Sequence, residues 1–201
     1  AVEINPSNPF IYYNFGVVYS NSKKIDKAIE FFQKALMLKP DFEGARYNLA
    51  NEYSKKNQFD LAIAEYERIL ESNPLAMDSM YNLAFITMKA KNDFDKALVL
   101  FKNISTLDPL HFDARFNLSI CYYFKDNKEK AIETLFDLIR IVPDHYNAHY
   151  NLGCIYLEIG QKEKAIIHFK RYLELDNKKK DEYNFVKIAK RRVKELEEEF
   201  N

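Results

Sequence analysis

Few residues in this 201-residue chain are of a type and spacing that could carry a reaction. His145 and His149 stand at i and i+4, which puts two imidazoles on one helix face and would suit a zinc ion. Yet His145 follows His111 by 34 residues and His149 falls in a recurring bulky column, so both have structural explanations. Cys121 and Cys154 lack a neighbouring histidine or a CxxC partner and read as packed thiols. Gly16, Gly44, Gly153 and Gly160 are scattered, so no phosphate-cradling loop forms. Carboxylates alternate with lysines in the manner of solvated helix faces. No catalytic residue, metal or cofactor is therefore expected, and the chain reads as a non-enzyme. What does recur is an aromatic followed by asparagine: Tyr13-Asn14, Tyr47-Asn48, Tyr81-Asn82, Phe116-Asn117 and Tyr150-Asn151. Each amide offers one acceptor and two donors, the functions that pair with an extended backbone.

The elements that must position those amides follow from composition and period. Thirty basic and thirty acidic residues cancel, which gives a polyanion such as nucleic acid no bulk attraction. With 47% hydrophobic and 30% charged residues the chain can bury a core, while only 4 Gly and 6 Pro leave few breaks for a sheet fold. No apolar run is long enough to insert in a membrane. Two unpaired cysteines favour a reducing compartment such as cytoplasm, though the sequence does not fix the location.

The prolines Pro6, Pro40, Pro74, Pro109 and Pro143 are spaced by 34, 34, 35 and 34 residues. Ala28, Ala62, Ala97, Ala131 and Ala165 keep the same step, followed four positions on by Phe32, Tyr66, Phe101, Leu135 and Phe169. Apolar residues fall at helical spacing in both halves of each period, so two short helices fit between successive prolines. The extra residue of the third period is expected in the turn containing Lys91, Asn92 and Asp93.

These columns resemble the tetratricopeptide-repeat family, whose pattern is W-x2-L-G-x2-Y, then A-x3-F, then P. The first full repeat reads Tyr12, Phe15, Gly16, Tyr19, Ala28, Phe32, Ala35, Pro40; the fifth reads His149, Leu152, Gly153, Tyr156, Ala165, Phe169, Tyr172. Ala50, Ala84 and Ser119 replace the glycine, and the tryptophan is absent throughout. The resemblance implies an all-α fold, a right-handed α-solenoid (superhelix) of antiparallel helix pairs. Five repeats are expected at 9–42, 43–76, 77–111, 112–145 and 146–179, with a capping helix at 180–201. Tyr183, Val186, Ala189, Val193 and Leu196 would form the apolar side of that helix. Residues 1–8 read as the close of an earlier repeat, so the chain is expected to come from a longer array. Its first helix, lacking a cover over Ile11 and Val18, would then be prone to self-association.

In this family the first helices line the concave side, which implies that the five asparagines form a row there. Such a row is similar to the asparagine ladder with which the superhelix of O-GlcNAc transferase holds peptides. First helices on the order of 10 Å apart would offer one amide to roughly every third residue of a strand. Asn51, Phe85, Ile120, Tyr123 and Phe124, one turn further on, would add specificity, with Tyr123 and Phe124 as anchors. The same amides are also compatible with a solvated surface that binds nothing. A carboxylate clamp of the chaperone-binding kind is not matched: Asn51 and Asn82 fit, but Tyr47, Asp113 and Asn117 stand where cations are needed. Asp78 and Asp113 would repel an acidic tail. The expected role is a non-catalytic adaptor or scaffold that binds a protein or peptide. The alternatives are the substrate-recognition arm of a larger enzyme, such as a glycosyltransferase, and an architectural assembly subunit.

Overall fold

The computed structural model describes residues 7–176 and 184–198. Among the described residues the chain is all-helical, as expected. Its helices are α1 (Pro9–Asn21), α2 (Ile25–Leu38), α3 (Glu43–Lys55), α4 (Phe59–Ser72), α5 (Met77–Ala90), α6 (Phe94–Leu107), α7 (Phe112–Phe124), α8 (Lys128–Ile141), α9 (Tyr146–Glu158), α10 (Lys162–Asp176) and α11 (Asn184–Glu198). Odd-numbered helices up to α9 are the first of a pair and even-numbered ones the second.

Each pair turns through a residue in the left-handed region: Lys23, Asn57, Asn92, Asp126 or Gly160. The next N–H then reaches back five residues, from Gln58 to the Tyr53 carbonyl and from Asn127 to the Tyr122 carbonyl at 2.9 Å each. This is the Schellman closure, which satisfies the last carbonyls of the first helix. In the third pair the reach is six residues, from the Asp93 N–H to the Thr87 carbonyl. Helix α5 has 14 residues where α1, α3, α7 and α9 have 13. The extra residue therefore lies in the last turn of α5, not in the Lys91–Asp93 turn. Lengthening a hydrogen-bonded helix keeps the left-handed stop intact and adds Met88 to the core beside Thr87.

Second helices bury a narrow stripe with steps of four and three: Ala28, Phe32 and Ala35 in α2, or Ala131, Leu135 and Leu138 in α8. The first helices that follow another pair, α3, α5, α7 and α9, bury more of their circumference, whereas α1 buries Gly16 alone. Helix α9 buries Ala148, His149, Leu152, Gly153, Ile155 and Tyr156. The missing tryptophan has a polar substitute. Arg46 Nη2 donates to the Pro40 carbonyl at 2.6 Å, and Arg115 Nη2 donates to the Pro109 carbonyl at 2.8 Å. His149 Nε2 lies 3.1 Å from the Pro143 carbonyl. Each ties the proline that ends one pair to the first helix of the next, and each also meets the following second helix. Arg46 pairs with Glu65 at 2.5 Å, Arg115 with Asp137 at 4.0 Å, and His149 Nδ1 with His168 Nδ1 at 3.0 Å.

The chain divides into two compact units in the last turn of α6, between Ile104 and Ser105. The core of the first gathers Phe32, Leu49, Tyr66, Ile69 and Leu83, and that of the second Leu135, Leu138, Leu152, Phe169 and Tyr172. Helix α11 packs against α10 and buries Val186, Ala189, Val193 and Leu196. Tyr183, expected on the same side, lies outside the described residues, as does most of the segment read as an earlier repeat. Helix α1 leaves Phe10, Phe15 and Val18 exposed, while Ile11 is half-buried. Among the described residues no helix is long and apolar enough to cross a membrane.

Candidate interaction surface

The asparagines of α3 and α5 lie at the seam with the preceding first helix, where the protein itself engages them. In the first unit Asn48 Nδ2 donates to Tyr13 Oη at 3.3 Å, and Asn82 Nδ2 donates to Tyr47 Oη at 3.1 Å, each bond spanning 35 residues. The aromatic of one repeat thus holds the amide of the next. Asn14 is exposed. In the second unit Asn117 is buried, at 6% exposure, so its amide is not offered to a ligand as expected. Asn151 is half-buried and follows Phe116, whose ring has no hydroxyl to accept from it. The five amides expected to form one row are therefore not equivalent.

One short stretch of the first unit collects more. Asn51 Oδ1 accepts from Asn82 Nδ2 at 3.2 Å and from Tyr66 Oη at 2.5 Å. The two amides are held in fixed orientations, with Asn82 Oδ1 left to accept and Asn51 Nδ2 left to donate. They line an open cleft of about 270 Å³ with Ser54, Lys55, Tyr66, Phe85 and Ile86. Phe85 stacks on Tyr81, with ring centroids 6.3 Å apart, yet remains 40% exposed. Burial pushes the Tyr66 phenol far above its ordinary range, so it acts here as a neutral donor. Lys55 lies 2.5 Å from Glu52, a carboxylate whose side chain is otherwise buried.

Beyond the Tyr47–Asn82 bond, which crosses from α3 to α5, a second cleft of about 220 Å³ is lined by Glu43, Gly44, Tyr47, Ala76, Met77, Asp78 and Ser79. The two clefts lie at the two ends of one α3–α5 furrow, bridged by that bond. From Glu43 to Lys55 the furrow follows about 18 Å of helix. Sequence reading missed Tyr66, Lys55 and Ile86. Tyr66 carried a signal, being the lone hydroxyl-bearing residue in a column otherwise filled by Phe32, Phe101, Leu135 and Phe169. The clue was that a buried phenol needs an acceptor, which Asn51 provides.

In the second unit, Phe124 is exposed at 59% and packs edge-on against Tyr123 at 5.4 Å. Tyr123 Oη donates to Glu158 Oε2 at 2.8 Å, and Lys128 pairs with the same carboxylate at 2.9 Å. Lys128 and Tyr123 together hold the Glu158 carboxyl below its ordinary range. Ile120 is half-buried, and Tyr150 packs against Phe169, Tyr172 and Phe185. Tyr150 is thus mainly a packing residue. His145 and His149 do not converge on one point: His145 Nδ1 caps α9 by accepting from the Ala148 N–H, whereas His149 faces His168 and the Pro143 carbonyl. Among the described residues no group of three or more His, Cys, Asp or Glu side chains is placed to hold a metal ion.

Comparison with known proteins gives the same architecture. A family model described as tetratricopeptide repeat matches residues 1–83 and 89–143, and a second of that description matches 146–179. Among solved structures, YrrB superposes with a TM-score of 0.80 at 23% identity, over 94% of this chain and 95% of its own. MamA does so with 0.79 at 23%, over 85% and 93%, and residues 41 to the end of MamA from Desulfovibrio magneticus RS-1 with 0.80 at 17%, over 86% and 97%. At these identities the likeness establishes the fold alone. No curated protein matches the sequence. The family models cover well over half of the residues and fall on the helix pairs described above: the chain belongs to the tetratricopeptide-repeat family.

Proposed function

We propose that the chain is a non-catalytic interaction module that holds an extended polypeptide segment in the furrow between α3 and α5. The observation that carries this reading is the Asn51–Asn82–Tyr66 group beside exposed Phe85. Its hydrogen bonds fix two amides in advance, so little side-chain entropy is lost when they pair with a backbone. Phe85 and Ile86 supply an apolar contact next to them. A furrow of about 18 Å accommodates roughly five or six extended residues at about 3.3 Å each. YrrB is described as a protein with an unusual peptide-binding site, and peptide binding is carried to the present chain on its own geometry. On the second unit, Ile120, Tyr123 and Phe124 with the Asn151 amide form a separate contact surface in the same reading.

The test is selection of random linear peptides displayed on phage, followed by affinity measurement on recovered peptides. Asn82→Ala and Phe85→Ala should each weaken binding by about tenfold or more, the size of a central contact residue. Binding undiminished in both variants overturns the furrow. A second reading, self-association, is favoured by exposed Phe10, Phe15 and Val18 on α1. Sedimentation at rising concentration should then show a dimer that Phe15→Glu dissolves, and a monomer at every concentration rejects it.

A further inference from the structure

We infer that the segment bound in the α3–α5 furrow carries a lysine or arginine at the end beside Glu43 and Asp78, and an aliphatic or aromatic residue at Phe85. This deepens the furrow reading and rests on it. The Glu43 carboxylate is met by a neutral partner, the Asn73 amide, at 3.2 and 3.3 Å. Asp78 is exposed, and its carboxylate has no ion pair and accepts no hydrogen bond among the described residues. No lysine or arginine lines that cleft. Elsewhere in the first unit, acids of the second helices are neutralised: Asp26 by Lys56, Asp60 by Lys91, Glu65 by Arg46 and Arg68.

Acids in a first turn also complement the helix dipole, and most helices here have one. That accounts for only part of the charge. Two full negative charges face the ends of α3 and α5, each worth about half a positive charge, so about one negative charge is left over. Tyr47 and Met77 form the apolar wall along which the methylenes of a long cationic side chain can lie. At the other end Lys55 is already held by Glu52, so it presents little net charge to a partner. From Asp78 to Phe85 the helix rises about 10 Å, equal to roughly three residues of an extended strand. The spacing fixes the expected pattern as a basic residue about three positions from an apolar one. An acidic tail or a nucleic-acid strand is repelled by the same charges.

The peptide selection tests this with the intact chain and two further variants, Glu43→Gln/Asp78→Asn and Asp78→Lys. Both positions are exposed, and circular dichroism confirms that the variants keep their helices. Peptides recovered on the wild type should carry Lys or Arg at that spacing. They should bind the neutralised variant about tenfold more weakly at low salt, with a smaller dependence on ionic strength. Selection on Asp78→Lys should lose the basic preference. If peptides depend on Asn82 and Phe85 but show no basic preference and ignore Asp78→Lys, the inference is overturned and the furrow stands. If they are insensitive to Asn82→Ala and Phe85→Ala, the furrow itself is rejected.

Discussion

At the scale of single residues, two positions show how little room the repeat leaves. A Cβ on Gly16 would stand 2.5 Å from Phe32 Cε1, and one on Gly153 would stand 2.7 Å from Phe169 Cδ1. Both rings are buried, so the added methyl must push a packed helix aside. Overpacking of this kind costs about 1–3 kcal/mol, against about 1 kcal/mol regained because alanine prefers helix. Gly16→Ala should therefore destabilise by up to about 2 kcal/mol in urea denaturation, and Phe32→Leu in the same chain should recover part of the loss, since the fourth repeat has Ser119 and Leu135 in the columns of Gly16 and Phe32. The His149–His168 contact gives a second prediction. The Pro143 carbonyl can only accept, which puts the His149 proton on Nε2 and makes its Nδ1 the acceptor for His168 Nδ1–H. Burial pushes both imidazoles down, His168 to about 4 with neighbouring His149 adding to the effect. The unfolded chain, with an ordinary histidine value of 6.5, then binds protons that the folded chain refuses. The contribution is complete above that value and is lost as pH falls from 6.5 towards 4, on the order of 3 kcal/mol in all. His168→Phe, flanked by Phe136 and Tyr156, should flatten the fall of the urea midpoint across that window; an unchanged slope would assign it to the carboxylates alone.

At the scale of elements, three of the prolines that end a pair, Pro40, Pro109 and Pro143, are tied by the first helix of the next. Arg46 serves this role with its side chain only 17% exposed, and its partner Glu65 is as sheltered. Arg46→Ala removes the donor to Pro40 and leaves Glu65 with Arg68 alone, whose side chain is mostly in water. A sheltered charge-assisted pair that loses one partner costs about 2–3 kcal/mol, whereas Arg68→Ala, on the exposed side, should cost under about 1 kcal/mol. Thermal melts of the two variants compare these directly, and equal shifts would refute the distinction. The helices themselves were legible because burial leaves a periodic imprint: alanine where axes approach, a bulky residue four positions on, and proline after each stop. The arginine tie was not, since Arg46, Arg115 and His149 share a column but not a chemistry, and their common acceptor is a backbone carbonyl that no side-chain pattern records. The asparagines were read as a ladder because their spacing was visible. Their occupancy was not, because a tyrosine hydroxyl 35 residues earlier becomes a partner only once two first helices lie side by side. The extra residue of the third repeat was placed in a turn for the same reason, as Met88 continuing the helix depends on core space that spacing alone does not reveal.

At the scale of the whole molecule, stability in a linear stack is a sum over neighbours, so a lesion travels only as far as the contacts it weakens. Within the second unit α9 packs along α8 and α10, whereas α11 packs along α10 and touches α9 through the Phe185–Tyr150 ring contact. Opening α11 alone therefore gives up one helix interface and that ring contact, and opening α9 gives up two helix interfaces and the same contact. Leu196 in α11 and Leu152 in α9 are both buried leucines, at 4% and 0% exposure. Truncation to alanine should cost about 2–5 kcal/mol at either site, but the cost should be read out in different places. Leu196→Ala should speed hydrogen exchange in α11 by at least tenfold and leave the central amides of α8 and α9 nearly unchanged, because α11 can detach before the rest opens. Leu152→Ala should speed exchange across α8, α9 and α10 together, because no interface of α9 can open without its neighbours. Mass-spectrometric exchange on the two variants measures this peptide by peptide. If Leu196→Ala accelerates α8 and α9 as much as α11, the second unit opens as one cooperative body, and the nearest-neighbour account of its stability fails.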